Sequence, residues 1–159
     1  MLCRRSWKVV PLLAMVTTTS EEQSPEAAVT LAAVRAGIGV LRPPNDGLRY
    51  DLAFDVAGRL LRVQCKTAIR KDDVLVVPFY SARRSASGFV KRRYVPDEVD
   101  GIAAYCPDLD RIFYLPLDRF PKHTHVQLRI APTRNNQQAG VNWAADFALE
   151  SLDWTSLGP

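Results

Sequence analysis

A carboxylate, an amide and an ammonium group fall within one short stretch of this chain as Asp51, Gln64 and Lys66, and together they carry the donors for phosphodiester hydrolysis. The carboxylate and the amide carbonyl are hard oxygen ligands of the kind Mg²⁺ (or Mn²⁺) accepts while keeping several waters. A metal held there would lower the pKa of a bound water and screen the charge developing on a phosphate. A lysine beside it holds the scissile phosphate or orients the attacking water; beyond that the reaction asks mainly for placement and electrostatics. The set is one full charge short, because Gln64 is neutral. Glu26 is the candidate to supply that charge, provided the helix carrying it packs on the sheet carrying Asp51.

The elements that must position these groups are legible in the spacing. Runs 49–56 and 59–67 alternate apolar and polar residues around Ala57-Gly58, which reads as a hairpin with a two-residue turn. Such a turn pairs Val56 with Arg59, so Asp51 lies directly across from Gln64 and shares its face of the sheet. Lys66, two residues on, shares that face, and Val63 and Cys65 point the other way. Asp55 falls opposite Leu60 on the same face but belongs to the turn. Register is the sensitive point, since a three-residue turn with a bulge would shift the pairing by one and split the group. Each residue also has a plainer reading. Asp51 could be a surface acid paired with Arg49 or Arg62, Lys66 a solvated strand end, and Glu26 an acid favoured in a first helical turn by the helix dipole. Asp100, before an apolar run, reads as a partner for an arginine.

Around the hairpin, Ser24-Pro25 opens a helix over 26–36, with Leu31 and Val34 on its apolar side and Gly37 as its stop. A short strand at 38–41 and a turn at 43–47 follow. A strongly apolar strand occupies 74–80, then a loop at 83–93 holds Arg83, Arg84, Lys91, Arg92 and Arg93 with no acid among them. Stretches 99–105 and 111–115 form a second hairpin around Pro107-Asp108, 126–130 is a further strand, and Asn142 caps a helix running to 150. Trp143 and Phe147 read as its core face. Helix, strands, helix is the order of an α/β domain, an α+β arrangement on a mixed central sheet. Residues 1–20 read as an N-terminal extension outside the core. Arg4, Arg5 and Lys8 precede a short apolar run that Pro11 interrupts, too weak for a secretion signal. A single domain is expected over 21–159.

Length and charge narrow the partners. The chain has 159 residues, 47% hydrophobic and 24% charged, the composition of one globular domain. Its formal charge of +4 is unevenly spread. Every base lies at or before Arg134, and the remainder holds only Asp146, Glu150 and Asp153. Sixteen of the bases are arginine and five are lysine, which favours forked contacts to phosphate and a polyanionic partner. The basic stretch 83–93 by itself reads as a solvated charge run; beside a nuclease-like sheet it becomes a phosphate-contact, DNA-binding segment whose binding falls steeply with salt. Cys3, Cys65 and Cys106 are too few and too scattered for a disulfide framework and suggest a reducing, cytoplasmic setting. His123 and His125 could share a strand face as metal ligands but have no acid or cysteine cluster beside them. Phosphate-binding loops, the dinucleotide fingerprint, the zincin helix and the nucleophile elbow are missing, and no stretch is long and apolar enough to enter a membrane.

The pattern Glu26 … Arg49-Tyr50-Asp51 … Gln64-Cys65-Lys66-Thr67 resembles the PD-(D/E)XK nuclease superfamily. Within it, the pattern is closest to the group I intron-encoded homing endonuclease-like subgroup, whose motif reads Q-x-K. Glu98-Val99-Asp100-Gly101-Ile102-Ala103-Ala104-Tyr105, then Asn135-Asn136-Gln137-Gln138 and Trp143-Ala144-Ala145-Asp146, extend the similarity over 24–149. The resemblance implies a restriction-endonuclease-like αβββαβ core. It also implies Asp51 as the metal-binding aspartate, Gln64 where most relatives have Asp or Glu, Lys66 as the catalytic lysine, and Glu26 as the first-helix glutamate. The expected function is a Mg²⁺-dependent DNA endonuclease of homing type, acting as a dimer or larger homo-oligomer because one small domain cuts one strand per site. A junction-resolving or repair nuclease is the neighbouring reading. A catalytically inactive DNA-binding protein on the same scaffold is the alternative that the neutral Gln64 raises.

Overall fold

Ser24 caps the first helix, its Oγ accepting from the N–H of Ala27 at 3.2 Å, with Pro25 in the first turn of α1 (Pro25–Arg35). The computed structural model describes residues 24–45, 47–133 and 137–155, so the extension at 1–20 and the pair Asn135-Asn136 lie outside the described residues. The helix turns a different side to the core than expected. Val29 and Ala33 are fully buried, whereas Leu31 and Val34 are 52% and 58% exposed. The helix is apolar nearly all round, so composition does not choose the face. The Val29 and Ala33 stripe, four residues apart and ending on a small alanine, lets α1 sit on the sheet.

Among the described residues ten strands follow: β1 (Gly39–Leu41), β2 (Leu52–Val56), β3 (Arg59–Thr67), β4 (Ile69–Lys71), β5 (Val74–Pro78), β6 (Tyr80–Ser85), β7 (Gly88–Arg93), β8 (Gly101–Cys106), β9 (Arg111–Pro116) and β10 (His125–Arg129). A five-stranded sheet has the order β1-β2-β3-β8-β9. Its pairs are antiparallel except β3 with β8, which run parallel, so the mixed central sheet of the expected fold class is present. A parallel pair needs a long crossover. Here strands β4 to β7 make it, where the αβββαβ pattern would put a helix.

The apolar strand expected at 74–80 therefore belongs to a second sheet, β10-β5-β4. Leu75, Val77, Val126 and Leu128 pack there against Ile102, Ala104, Phe113 and Leu115 of the central sheet. The opposite face is covered by α1, where Val29 and Ala33 join Leu52, Phe54, Val63, Cys65 and Leu149. β8, central in this three-layer stack, is buried at every residue but Tyr105, as a strand covered on both faces should be.

Two further expectations are corrected. Residues 83–93 are not a loop: they lie in the β6–β7 hairpin, paired from Tyr80↔Arg93 to Ser85↔Gly88. Nor is 142–150 a regular helix. It forms two 3₁₀ turns, Ala144–Phe147 and Leu149–Ser151, around an extended Ala148. Ala148 bridges to Phe113 and Trp143 to Arg129, so this segment closes sheet edges and sends Phe147 into one core and Leu149 into the other. His123 and His125 rest edge-on against Phe120 and Tyr80 as ring contacts. No helix among the described residues is long and apolar enough to cross a membrane.

Candidate active site

The β2–β3 hairpin sets the geometry. Ala57 and Gly58 both have positive φ, 51° and 80°, the two-residue turn whose twist matches its strands. The register runs from Val56↔Arg59 to Leu52↔Val63, as the spacing requires. Pairing stops there and Asp51 stands at the open end, its N–H on the Val63 carbonyl at 3.0 Å. Its carboxylate turns onto β3. Asp51 Oδ2 accepts from the Cys65 N–H at 2.8 Å and from the Gln64 side-chain amide. Asp51 and Gln64 therefore meet as predicted. Because the Gln64 nitrogen is committed to Asp51, its carbonyl oxygen is the atom left to a ligand.

Glu26 joins them from the first turn of α1. It lines one cleft with Asp51, Arg42 and Tyr50. Burial pushes the Asp51 carboxyl above its ordinary 3.8; the Cys65 N–H opposes the shift, the nearby Glu26 charge adds to it, and Lys66 and Gln64 oppose it. Burial also pushes the Cys65 thiol far up, with Asp51 and Glu26 adding to it, so this cysteine is an inert core residue. The Asp51 carboxylate, with the Glu26 charge and an amide oxygen beside it, forms a donor set that a divalent cation would relieve. Among the described residues no three His, Cys, Asp or Glu side chains gather into a metal cluster. At this centre the third oxygen donor is an amide.

Lys66 lies close enough to lower the Asp51 pKa through its charge, and its Nζ sits 5.3 Å from the centre of the Tyr94 ring. Arg49 occupies the same ring at 4.7 Å. Arg49 is further held by Glu98 Oε2 at 3.1 Å, by Ser81 Oγ at 2.7 Å and by the Arg93 carbonyl at 3.2 Å, while Arg92 pairs with the other Glu98 oxygen. Tyr94 is the residue that inspection of the sequence missed. It follows a run of bases on a different strand pair, and nothing local ties it to Lys66. Arg62 donates through its backbone N–H and its guanidinium to Asp100, at 2.7 to 3.0 Å. Burial alone would raise the Asp100 carboxyl, but the Arg62 hydrogen bonds and charge hold it below the ordinary range. With Arg49 on Glu98 and Arg62 on Asp100, the plain surface-pair reading of Asp51 loses both its partners.

The five bases expected to contact DNA divide into two groups. Arg92 is paired to Glu98, Arg93 donates to the Lys122 carbonyl at 3.1 Å, and Lys91 lies over the Tyr80 ring at 4.7 Å. Arg83 and Arg84 are exposed and make no side-chain bond to another described residue.

One close approach locks the sheet beside the centre. Gly101, paired with Val63, lies under the Tyr114 ring so tightly that a Cβ would come within 2.4 Å of it. Tyr114 is buried and cannot swing away.

The comparisons with known proteins agree with this fold. A solved bacterial homing endonuclease, I-Ssp6803I, is similar at 28% identity and a TM-score of 0.61, over 78% of this chain and 83% of its own. No curated protein matches the sequence. The family model described as PD-(D/E)XK endonuclease matches residues 16–150, the helix, hairpin and sheet that bring Glu26, Asp51, Gln64 and Lys66 together included, and the chain belongs to that nuclease family.

Proposed function

We propose that this protein is a divalent-metal-dependent DNA endonuclease, with homing-type double-strand cleavage as its activity. The observation that carries the proposal is the convergence of Glu26, Asp51 and the Gln64 amide on one centre, with Lys66 beside them. Asp51, Glu26 and the Gln64 carbonyl oxygen would hold Mg²⁺ or Mn²⁺, which when bound supplies an acidified water and neutralises charge on the phosphate. Lys66 pairs with a non-bridging oxygen of the scissile phosphate and gains strength as negative charge builds there. Tyr94 and Arg49 limit where the Lys66 ammonium can go, which keeps it aimed at the phosphate. Asp51, bonded by the Cys65 N–H at 2.8 Å, is held in one rotamer and would hold the metal from there. The homing assignment rests on the likeness to the bacterial homing endonuclease. Two copies of the chain would place one centre on each strand.

Supercoiled plasmid, a branched four-way duplex and genomic fragments, each incubated with Mg²⁺ or Mn²⁺, test the proposal. Wild type cuts linear or supercoiled duplex in a metal-dependent way, and Asp51→Ala and Lys66→Ala do not. Cutting confined to the branched duplex would transfer the assignment to junction resolution. A second reading, a DNA-binding protein without cleavage, is favoured by the neutral Gln64. It predicts that no substrate is cut while salt-sensitive binding persists, and that Gln64→Glu changes nothing. In a live centre Gln64→Glu tightens metal binding.

A further inference from the structure

Five of the six phenylalanines are packed inside this molecule, none more than 5% exposed, but Phe89 is 74% exposed. It sits on the β6–β7 ribbon, which pairs with no third strand among the described residues and has no buried residue in either strand. An isolated two-stranded hairpin is marginal in water, and this one is held from its root. Arg49 binds Ser81 and the Arg93 carbonyl, Arg92 binds Glu98, and Arg93 reaches the Lys122 carbonyl. The distal half has no such ties. There Arg84 stands directly opposite Phe89, and Arg83 opposite Val90, so each face of the tip carries one arginine, unpaired among the described residues, beside one apolar side chain. Five bases and no acid lie in the two strands.

We propose that the β6–β7 ribbon enters the major groove of duplex DNA, where Arg83, Arg84 and Phe89 read base edges at a fixed distance from the cleavage centre. The inference rests on the nuclease assignment above and adds how that nuclease chooses its site. A major groove about 12 Å wide admits a two-stranded ribbon. Arginine makes paired bonds to guanine O6 and N7, and an apolar ring suits the thymine methyl, so the tip holds the side chains such readout uses. The root supplies the register. Arg49, which grips it, shares the Tyr94 ring with Lys66, so bases under the tip stand at a set spacing from the phosphate at Lys66. Edge pairing with a second copy of the ribbon would bring like charges together and is disfavoured on that ground.

The full-length wild type and the triple variant Arg83→Ala/Arg84→Ala/Phe89→Ala are compared on duplexes selected from a random-sequence pool in Ca²⁺, with methylation at guanine N7 used to probe interference. The expected result is interference at fixed positions relative to the mapped cut. The triple variant should lose about 10- to 100-fold of its preference for the selected duplex while still binding arbitrary duplex in a salt-dependent way. Phe89→Ala alone, which leaves the ribbon's bases in place, gives the same reading in weaker form if the triple variant melts early. The proposal is overturned if the variants select and cut the same sequence as wild type. It is equally overturned if interference maps to the minor groove, or if the variants change the oligomeric state and not the site preference. In those cases wild type still cuts DNA and the nuclease assignment stands. A wild type that neither binds nor cuts any DNA overturns both.

Discussion

The β2–β3 hairpin and the β6–β7 ribbon are the same local object, two antiparallel strands joined by a two-residue turn, put to opposite uses. β2–β3 is flanked by β1 and β8 inside the five-stranded sheet. Its inward side chains Leu52, Phe54 and Val63 are fully buried, and the groups it presents, Asp51 and Gln64, bond to each other. The ribbon is exposed on both faces and presents its tip arginines with no side-chain bond to another described residue. A metal and a phosphate must be met within fractions of an ångström, which packing on all sides provides. A groove is met by charge and shape and tolerates an arm anchored at one end. The centre therefore has stability to lose when its surroundings change, and the ribbon has affinity and selectivity to lose.

The largest test of this contrast lies at the centre itself. Asp51→Ala and Lys66→Ala should each lower the nicking rate by about 10²–10³-fold, measured as turnover on the plasmid at saturating metal, with the fold intact by circular dichroism. Next comes a small apolar addition in each region. Gly101→Ala drives a Cβ into the immobile Tyr114 ring and should cost about 1–3 kcal/mol in urea unfolding. Ala82→Val on the exposed ribbon should stay within about 0.5 kcal/mol of wild type. Equal losses in the two variants would dissolve the distinction.

Smaller effects follow from titration. Asp100 is held below the ordinary carboxylate range by Arg62, so its contribution is full above its unfolded pKa and is lost as the pH falls through the lower folded value. Asp100→Asn should therefore melt below wild type at pH 7, by about 1 kcal/mol for a half-exposed pair, and the gap should close in acid. Asp51 has the opposite sign. Its carboxyl is raised by burial, so the folded state prefers it protonated, and its charge opposes folding above the folded pKa. In chelator at pH 7, Asp51→Asn should raise the melting temperature, an advantage that vanishes below the unfolded value of 3.8. Added Mg²⁺ should then raise the melting temperature of wild type and leave that of the variant unchanged. The smallest change belongs to the ribbon. Lys91→Ala should leave stability alone and reduce the salt dependence of DNA binding by about one phosphate's worth.

What this sequence determined by itself is local. Ala57-Gly58 sets a two-residue turn, the turn sets the register, and a period of two puts Gln64 and Lys66 opposite Val63 and Cys65. Ser24-Pro25 opens α1 for reasons contained in a single turn, and the partnership of Asp100 with an arginine was legible as a charge before an apolar run. Tertiary structure decided the rest, because the deciding contacts join segments far apart in sequence. Packing chose Val29 and Ala33 over Leu31 and Val34 as the buried side of α1. That same docking brings Glu26 to Asp51. The basic stretch looked like a loop because no apolar alternation marks a strand that is solvated on both faces. It became a ribbon through cross-strand pairing and a root gripped by Arg49. The 142–150 segment, with a helix-like composition, was drawn into bridges with β9 and β10 and broken at Ala148. Tyr94 meets Lys66 only because the crossover between β3 and β8 is built from strands that fold back over the site. Periodicity and turn chemistry act within a few residues, whereas the choice among apolar faces and distant partners belongs to the closed molecule.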